Sequence, residues 1–407
     1  MKPIESLRIS RITKIQYLRF AMKVFSSILL LMISALQLIA QDRTYAIKTI
    51  EELCSQKYFG RGYVKGGLDK SRDFILQELK RWKVSPMSSS GFLQQFSFPV
   101  NTFPGEMSLE LDGAKLRPGI DFIVSPESTG LKASGVLTMK DSSHYVDAAN
   151  RLQISYLKKL TWSVAVQESD YTAILVDQNL LSNKAENYRV TVENKFIDNF
   201  KASNICGVIK GRKKPDSLIL ITAHYDHLGG MGSKVYFPGA NDNGSGISLL
   251  LNLAKHYSLN APDYSIGFIC FAGEEAGLLG SRHFSENPLV DLKKVRFLIN
   301  LDLTGTGEEG ATVVNASVFK SEFEILDNIN RDKNYLSKIT ARGKAANSDH
   351  YWFSEKGIPS FFIYTNGGIK AYHDVYDIPK TLPLTEFDDL FRLIVAFNEN
   401  IMKSSKR

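Results

Sequence analysis

Leu218-Ile-Leu-Ile-Thr222-Ala-His-Tyr-Asp226 is the stretch on which the reading of this chain turns. A continuous apolar run leads, with no turn-forming residue between, to a histidine. Short unbroken runs of this kind are the pattern of strands buried on both faces, as in a parallel sheet covered by helices.

Outward from that stretch the pattern repeats. Ile266–Phe271 is a second apolar run and leads to Glu274 and Glu275; Val295–Leu301 is a third and leads to Asp302. Ile358–Tyr364 is a fourth, and the loop after it carries His373. Ile247–Ala254 reads as a helix, with Gly244-Ser-Gly246 just before it. From about residue 204 the order strand, loop, helix, strand predicts an α/β fold with a mixed, mostly parallel central sheet flanked by helices. The polar groups fall just past the carboxyl ends of successive strands, where open α/β sheets place their ligands.

Upstream, Ile50–Cys54 and Asp69–Trp82 are expected to be helical, the second with Phe74, Ile75, Leu79 and Trp82 at helical spacing. Between them Phe59-Gly-Arg-Gly-Tyr-Val-Lys-Gly-Gly67 is rich in glycine but fits neither usual phosphate-binding spacing, and reads as a plain connecting loop. Residues 100–199 change character. Met107–Leu111 and Gly135–Met139 alternate like strands, Tyr145–Leu160 reads as a helix, and His144 stands alone as a surface residue. The expected organisation is a signal peptide over 1–40, an α/β domain over 41–99 and 200–407, and a β-rich insertion or lid over 100–199.

A chain of 407 residues with 43% hydrophobic and 23% charged residues has room for one such domain and its insertion. Its net charge of +7 is not a nucleic-acid footprint: Lys2, Arg8, Arg11, Lys14, Arg19 and Lys23 against Glu5 place +5 of it before residue 24. That basic segment leads into apolar Val24–Ala40 and then polar Gln41, the layout of a secretory signal, with Met22 an alternative start. Ser26, Ser27, Ser34 and Gln37 interrupt the run, which falls short of a bilayer span. Without a cysteine near the cleavage region, a lipid anchor is not expected. The expectation is an exported protein, periplasmic or extracellular, with no stable membrane association after signal removal. Of the three cysteines, Cys270 sits in an apolar run and reads as a core thiol, while Cys54 and Cys206 are open to pairing after export.

Five phrases carry the chemistry: Thr222-Ala-His-Tyr-Asp-His227, Gly239-Ala-Asn-Asp-Asn-Gly-Ser-Gly246, Ala272-Gly-Glu-Glu-Ala-Gly-Leu-Leu-Gly-Ser281, Asn300-Leu-Asp302 and Tyr372-His-Asp374. Each alone has an ordinary reading: a chance pair, a turn, a solvated helix start. Together, in this order and at strand ends, they imply a metal centre. Two zinc ions about 3.5–4 Å apart need an imidazole and a carboxylate apiece with one carboxylate in common. His224, His373, Glu275, Asp302 and Asp242 fill that requirement. Three carboxylates gathered without a cation would oppose one another's ionisation, an objection a dication removes. Adjacent residues at a strand end diverge, so Glu275 is assigned to metal and Glu274 to proton transfer as general base. Asp226 is expected to accept from the His224 ring.

These phrases closely resemble the exported di-zinc peptidases that include bacterial leucyl-type aminopeptidases and glutamate carboxypeptidase-like enzymes, over most of residues 204–378. The resemblance implies that His224, Asp242 and Asp302 hold one zinc and Asp242, Glu275 and His373 the other, with Asp242 as bridge. It places Glu274 on the family's base and Tyr372 on a tyrosine that in some members supports the tetrahedral oxyanion. It also makes Ser348-Asp-His350 structural, and Asp377 either a support for His373 or a cap for the segment after it. Many members insert a protease-associated domain hereabouts, and the sequence of residues 100–200 does not read as one.

The implied function is metal-dependent removal of N-terminal residues from peptides, with peptides the only partners named. The ligands do not say which terminus is recognised, so a carboxypeptidase or dipeptidase stays open. A glutaminyl cyclase with one zinc, and a non-catalytic ectodomain of the transferrin-receptor kind, are the readings from other classes.

Overall fold

The structure is a computed structural model and describes residues 43–180 and 186–403. The expected signal segment lies outside the described residues. Contacts divide the chain into Met1–Ala46 and Ile47–Arg407. Of the first unit, residues 43–46 are described and are helical; the fold set out below is that of the second.

Its centre is a nine-stranded mixed sheet. We label the strands β1 (Leu93–Thr102), β2 (Lys195–Ile209), β3 (Lys214–His224), β4 (Tyr264–Phe271), β5 (Val295–Leu301), β6 (Ala311–Val314), β7 (Ile339–Ala341) and β8 (Ser360–Thr365). Their order is β2-β4-β3-β5-β8-β6-β7, with β1 and the short strand Ser85–Pro86 both paired to β2. The middle four, β4-β3-β5-β8, run parallel. β2 and β6 flank them antiparallel.

Side-chain alternation explains why the middle strands are apolar throughout. On one face Phe271 of β4 meets Phe284 of the helix Leu279–Glu286, which in turn meets Phe353. On the other, Phe297 of β5 packs edge-on against Phe361 of β8 at 4.8 Å and against Phe397 of the helix Phe387–Lys403 at 5.1 Å. Both faces are covered, so neither residue parity in these strands can be polar. The register then aligns the strand ends: His224 lies beside Phe271, and Thr222 beside Asn300. Residues just past β3, β4 and β5 emerge along one edge.

Residues 103–194 leave this sheet and form two smaller ones. One has five strands, among them His144–Asp147, Leu152–Leu157 and Thr172–Asp177; the other has four, including Met107–Leu111 and Asn187–Val192. Tyr145–Leu160 is therefore not a helix. Leu152, Ile154 and Tyr156 are buried while Gln153 and Leu157 are exposed, a period of two that fits a strand. The two sheets enclose a core with Phe122, Ile154, Ile174 and Val190, which Phe103, Met231 and Phe237 extend.

Cys54, Cys206 and Cys270 are all buried free thiols, so Cys54 and Cys206 do not pair. Burial pushes the Cys54 thiol up to about 12 and the other two up as well. Among the described residues no helix is long and apolar enough to cross a membrane.

Candidate metal centre

The backbone brings the polar residues to one edge of the sheet. His224 closes β3, Glu274 and Glu275 follow the end of β4, Asp302 follows β5, and His373 comes from the loop beyond β8. Asp242 belongs to the turn before the helix Gly246–Leu259. At Gly239 (φ 61°) a Cβ would lie 2.1 Å from the Asp242 carbonyl oxygen and 2.4 Å from Cδ2 of His227, so only glycine permits this turn. Asp377 accepts from the backbone N–H groups of Asn241 at 2.8 Å and Asp242 at 3.0 Å. It therefore fixes the Asp242 turn rather than the His373 ring.

All six sequence-identified residues converge. Asp242 faces two imidazoles with its two oxygens: Oδ1 is 3.4 Å from His224 Nε2, and Oδ2 is 3.0 Å from His373 Nε2. Asp302 Oδ1 lies 3.3 Å from His224 Nε2, and Glu275 Oε2 lies 3.3 Å from His373 Nε2. Glu274 is set further back, its Oε2 4.0 Å from His224 Nε2.

These neighbours move the protons. Burial and the nearby Glu275, Asp349 and Asp302 push the Glu274 carboxyl well above the usual carboxylate range, against the pull of His224. Burial acts the same way on Asp242 and Glu275, but the imidazoles around them prevail. Asp242 is held far below its ordinary value and Glu275 at about 2. Burial opposes charging of the histidines, yet the carboxylates prevail there too. His224 is raised well above its ordinary value and His373 to about 11.

Several supports were hidden from sequence reasoning. The His224 Nδ1 hydrogen-bonds the Asp226 main-chain oxygen at 3.1 Å, while the Asp226 carboxylate stands back at 3.9 Å, near enough for charge but not for a hydrogen bond. The carboxylate instead accepts from Tyr63 Oη at 2.7 Å and from the backbone N–H groups of Glu274 and Glu275 at 3.2 and 3.3 Å. It thus sets the divergence of the two glutamates. His227, in the same phrase as His224, is fully buried with Nδ1 2.7 Å from Glu275 Oε1. Ser348 donates to Asp302 Oδ2 at 2.9 Å, while Thr222, Asn300 and Ser348 form a hydrogen-bonded row across β3 and β5.

Two distant segments also reach the centre. Trp162, from residues 103–194, donates its N–H to the His373 carbonyl at 2.9 Å, and the His373 Nδ1 meets the Trp162 carbonyl at 2.9 Å. The Trp162 ring stacks on Phe237 at 4.7 Å. Arg61, from the glycine-rich loop, is completely buried. It donates to the carbonyls of Tyr225 (3.1 Å), Leu53 (3.3 Å), Pro238 (2.6 Å), Gly239 (2.8 Å) and Asp242 (3.1 Å). That loop is no plain connection; it holds the backbone on which Asp242 sits. The signal in sequence is an arginine between two glycines, Gly60-Arg61-Gly62.

The centre opens into a cavity of about 420 Å³ whose walls include Leu278, Leu303, Arg342, Phe362, Tyr364 and Tyr372. The Tyr372 ring stacks on the His373 ring with centroids 4.0 Å apart. Partial burial and the four carboxylates push its phenol up, so it stays protonated.

The donor set fits a dication. Among the described residues the ion-pair partners of the four carboxylates are imidazoles alone, and no lysine or arginine pairs with any of the four. Asp302 Oδ1 is buried and has no hydrogen-bond partner although Oδ2 is held by Ser348. His224 with Asp242 and Glu275, and His224 with Glu274 and Asp302, each bring ligand atoms within 4.8 Å of one another. Mixed nitrogen and oxygen donors of this kind suit zinc.

A mostly parallel sheet carrying an imidazole–carboxylate cluster past its strand ends defines an α/β protein of the zinc-peptidase architecture. Residues 204–398 match the model of peptidase family M28. It is similar to "Aminopeptidase YwaD" of Bacillus subtilis, with 35% identity over 202 residues covering 47% of this chain and 42% of the relative. A "Probable leucine aminopeptidase" of Trichophyton verrucosum is 33% identical over 187 residues, covering 42% of this chain and 47% of the relative. The chain spans about half the length of the curated relatives it matches. In fold it resembles BSAP, a zinc aminopeptidase from Bacillus subtilis, with a TM-score of 0.66, 20% identity, and coverage of 88% of this chain and 94% of that one. A peptidase M28 precursor from Shewanella amazonensis gives a TM-score of 0.61 at 15% identity, covering 90% and 98%.

Proposed function

We propose that this protein is a zinc-dependent exopeptidase that removes N-terminal residues from peptides. The observation that carries the reading is Asp242: its two oxygens face two separate imidazole–carboxylate pairs, His224 with Asp302 and His373 with Glu275. One carboxylate common to two sites is the layout that a pair of zinc ions requires. His224, Asp242 and Asp302 would hold one ion; Asp242, Glu275 and His373 would hold the other. When bound, zinc supplies Lewis acidity, which polarises a carbonyl and makes water acidic enough to deprotonate near neutral pH.

Glu274 handles the proton. Set behind the ligand atoms, with its Oε2 4.0 Å from His224 Nε2, it would take a proton from the attacking water and pass it to the leaving amine nitrogen as the C–N bond breaks. The water's oxygen stays on the acyl carbon, so the products are a free amino acid and a shortened peptide. Tyr372, on the cavity wall, would donate its phenol O–H to the oxyanion of the tetrahedral intermediate. Asp226 keeps Glu274 and Glu275 aimed apart through their backbone N–H groups. An N-terminal signal as the sequence implies would put this chemistry outside the cytoplasm, in the periplasm or the medium.

The test is mass spectrometry of a mixed peptide pool, with free-amine and N-acetylated members, incubated with purified protein with and without a chelator. Stepwise, chelator-sensitive loss from free N-termini alone is expected. Intact free N-termini would sink the reading; C-terminal loss would indicate a carboxypeptidase, and ammonia loss from N-terminal glutamine a cyclase.

A further inference from the structure

One cation faces the cavity and has no charge to answer it. Arg342 lies on the cavity wall just beyond β7, and among the described residues no carboxylate lies within ion-pair distance of it. Its neighbour Lys344 is already committed to Glu355. Arg342 is also held in place. Its N–H donates to the Val313 carbonyl at 2.9 Å, its own carbonyl accepts from Ser317 N–H at 3.4 Å, and its Nη1 donates to the Tyr364 hydroxyl at 3.3 Å. The backbone is thus pinned to β6, and a second wall residue steadies the guanidinium.

The charge balance of the cavity says what this group awaits. The charged side chains on its wall are the carboxylates Asp242, Glu274, Glu275 and Asp302 and the guanidinium of Arg342, with the imidazole of His373 also in the lining. Two dications offset the four carboxylates, so the remaining charge of the loaded cavity is the guanidinium. A guanidinium presents paired N–H donors that match a carboxylate in geometry and sign. The volume of about 420 Å³ is that of a small-ligand site, enough for the residues flanking one peptide bond.

We infer that Arg342 anchors a carboxylate of the substrate, and that the site prefers peptides bearing one next to the scissile bond. This rests on the peptidase reading above. The carboxylate has two possible sources, an acidic side chain or the C-terminal group of a dipeptide. Tyr364 is the positioning residue behind Arg342.

Matched peptides test it: Glu against Gln at the first and at the second position, and dipeptides with free against amidated C-termini. kcat/KM is measured for wild type, Arg342→Gln and Arg342→Lys, and binding of each peptide is measured separately by calorimetry. Wild type is expected to favour at least one carboxylate member over its amide partner by about tenfold or more, through KM. In Arg342→Gln that ratio falls to about one, Arg342→Lys keeps part of it, and Lys344→Gln keeps all of it. The pair that shows the ratio identifies the source of the carboxylate. A wild-type ratio near one, or a ratio unchanged in Arg342→Gln, overturns the inference. Absence of cleavage with an Arg342-dependent preference intact in binding would instead count against the peptidase reading alone.

Discussion

Replacing Arg61 with lysine tests whether the metal centre depends on a residue far away in sequence. The guanidinium is fully buried and donates to five main-chain carbonyls, two of which, Gly239 and Asp242, belong to the turn carrying the Asp242 carboxylate. A lysine ammonium has three donors on a flexible stem. At least two carbonyls lose their partner where water does not replace it. Each buried, unsatisfied carbonyl costs about 1–3 kcal/mol, giving a loss of about 2–6 kcal/mol. Against a typical total of about 5–15 kcal/mol this is a large share. Both residues keep a positive charge and face the same left-handed backbone at position 61, where φ is 50°, so the substitution isolates the number and geometry of the donors. The assay is urea unfolding of metal-stripped wild type and Arg61→Lys, paired with zinc titration of both. Stability should fall by the amount above and zinc should bind more weakly, because Asp242 is no longer fixed. A loss under about 1 kcal/mol with unchanged zinc binding would mean that the five carbonyls find other partners, and the reasoning would fail.

Three further outcomes are expected. Glu274→Gln should keep its zinc, measured by elemental analysis, and lose about 10²–10⁴-fold in kcat; activity within a few-fold of wild type removes Glu274 as the base. Asp242→Asn should weaken both zinc sites together, by more than the roughly 10–100-fold typical of losing an outer support; independent, full occupancy of either site excludes Asp242 as the bridge. The metal-stripped protein should lose thermal stability as pH rises from 5 to 8. Burial raises the carboxyls of Asp349 to about 7 and Asp377 to about 6 and lifts Glu274 also, so the native state holds protons that the unfolded chain has released, and stability falls with pH. The raised imidazoles of His224 and His373 act in the same direction above about 6.5, the lowered Asp242 and Glu275 act only in the acid range, and His350, lowered to about 4 by burial, opposes the trend only below about 6.5. A melting temperature that stays flat or rises over this span contradicts the assignment.

Much of the frame was legible because burial on both faces leaves a one-dimensional trace. The apolar runs at 218–222, 266–271 and 295–301 are strands in the structure, and their ends do carry the polar residues. Tyr145–Leu160 failed because its polar residues obscured a period of two that Leu152, Ile154 and Tyr156 follow. Asp226 failed differently. Its spacing from His224 was suggestive, but whether carbonyl or carboxylate meets the ring depends on how the chain bends after β3, and the carboxylate went to Tyr63 and the two glutamates. His227 stands in the same short phrase as His224, and only the turn between them brings it to Glu275.

By itself, the amino-acid sequence determined the class of fold and the identity of the six converging side chains. Strand periodicity and the chemical character of a side chain are local properties, written residue by residue. Only the tertiary structure decided how those side chains are held. Trp162 grips His373 across residues 103–194, Arg61 braces the Asp242 turn, and Arg342 reaches the cavity from the end of β7. Each joins segments remote in sequence through backbone carbonyls or a shared cavity. Backbone carbonyls are the same at every position, so no residue code announces which one a distant donor will meet.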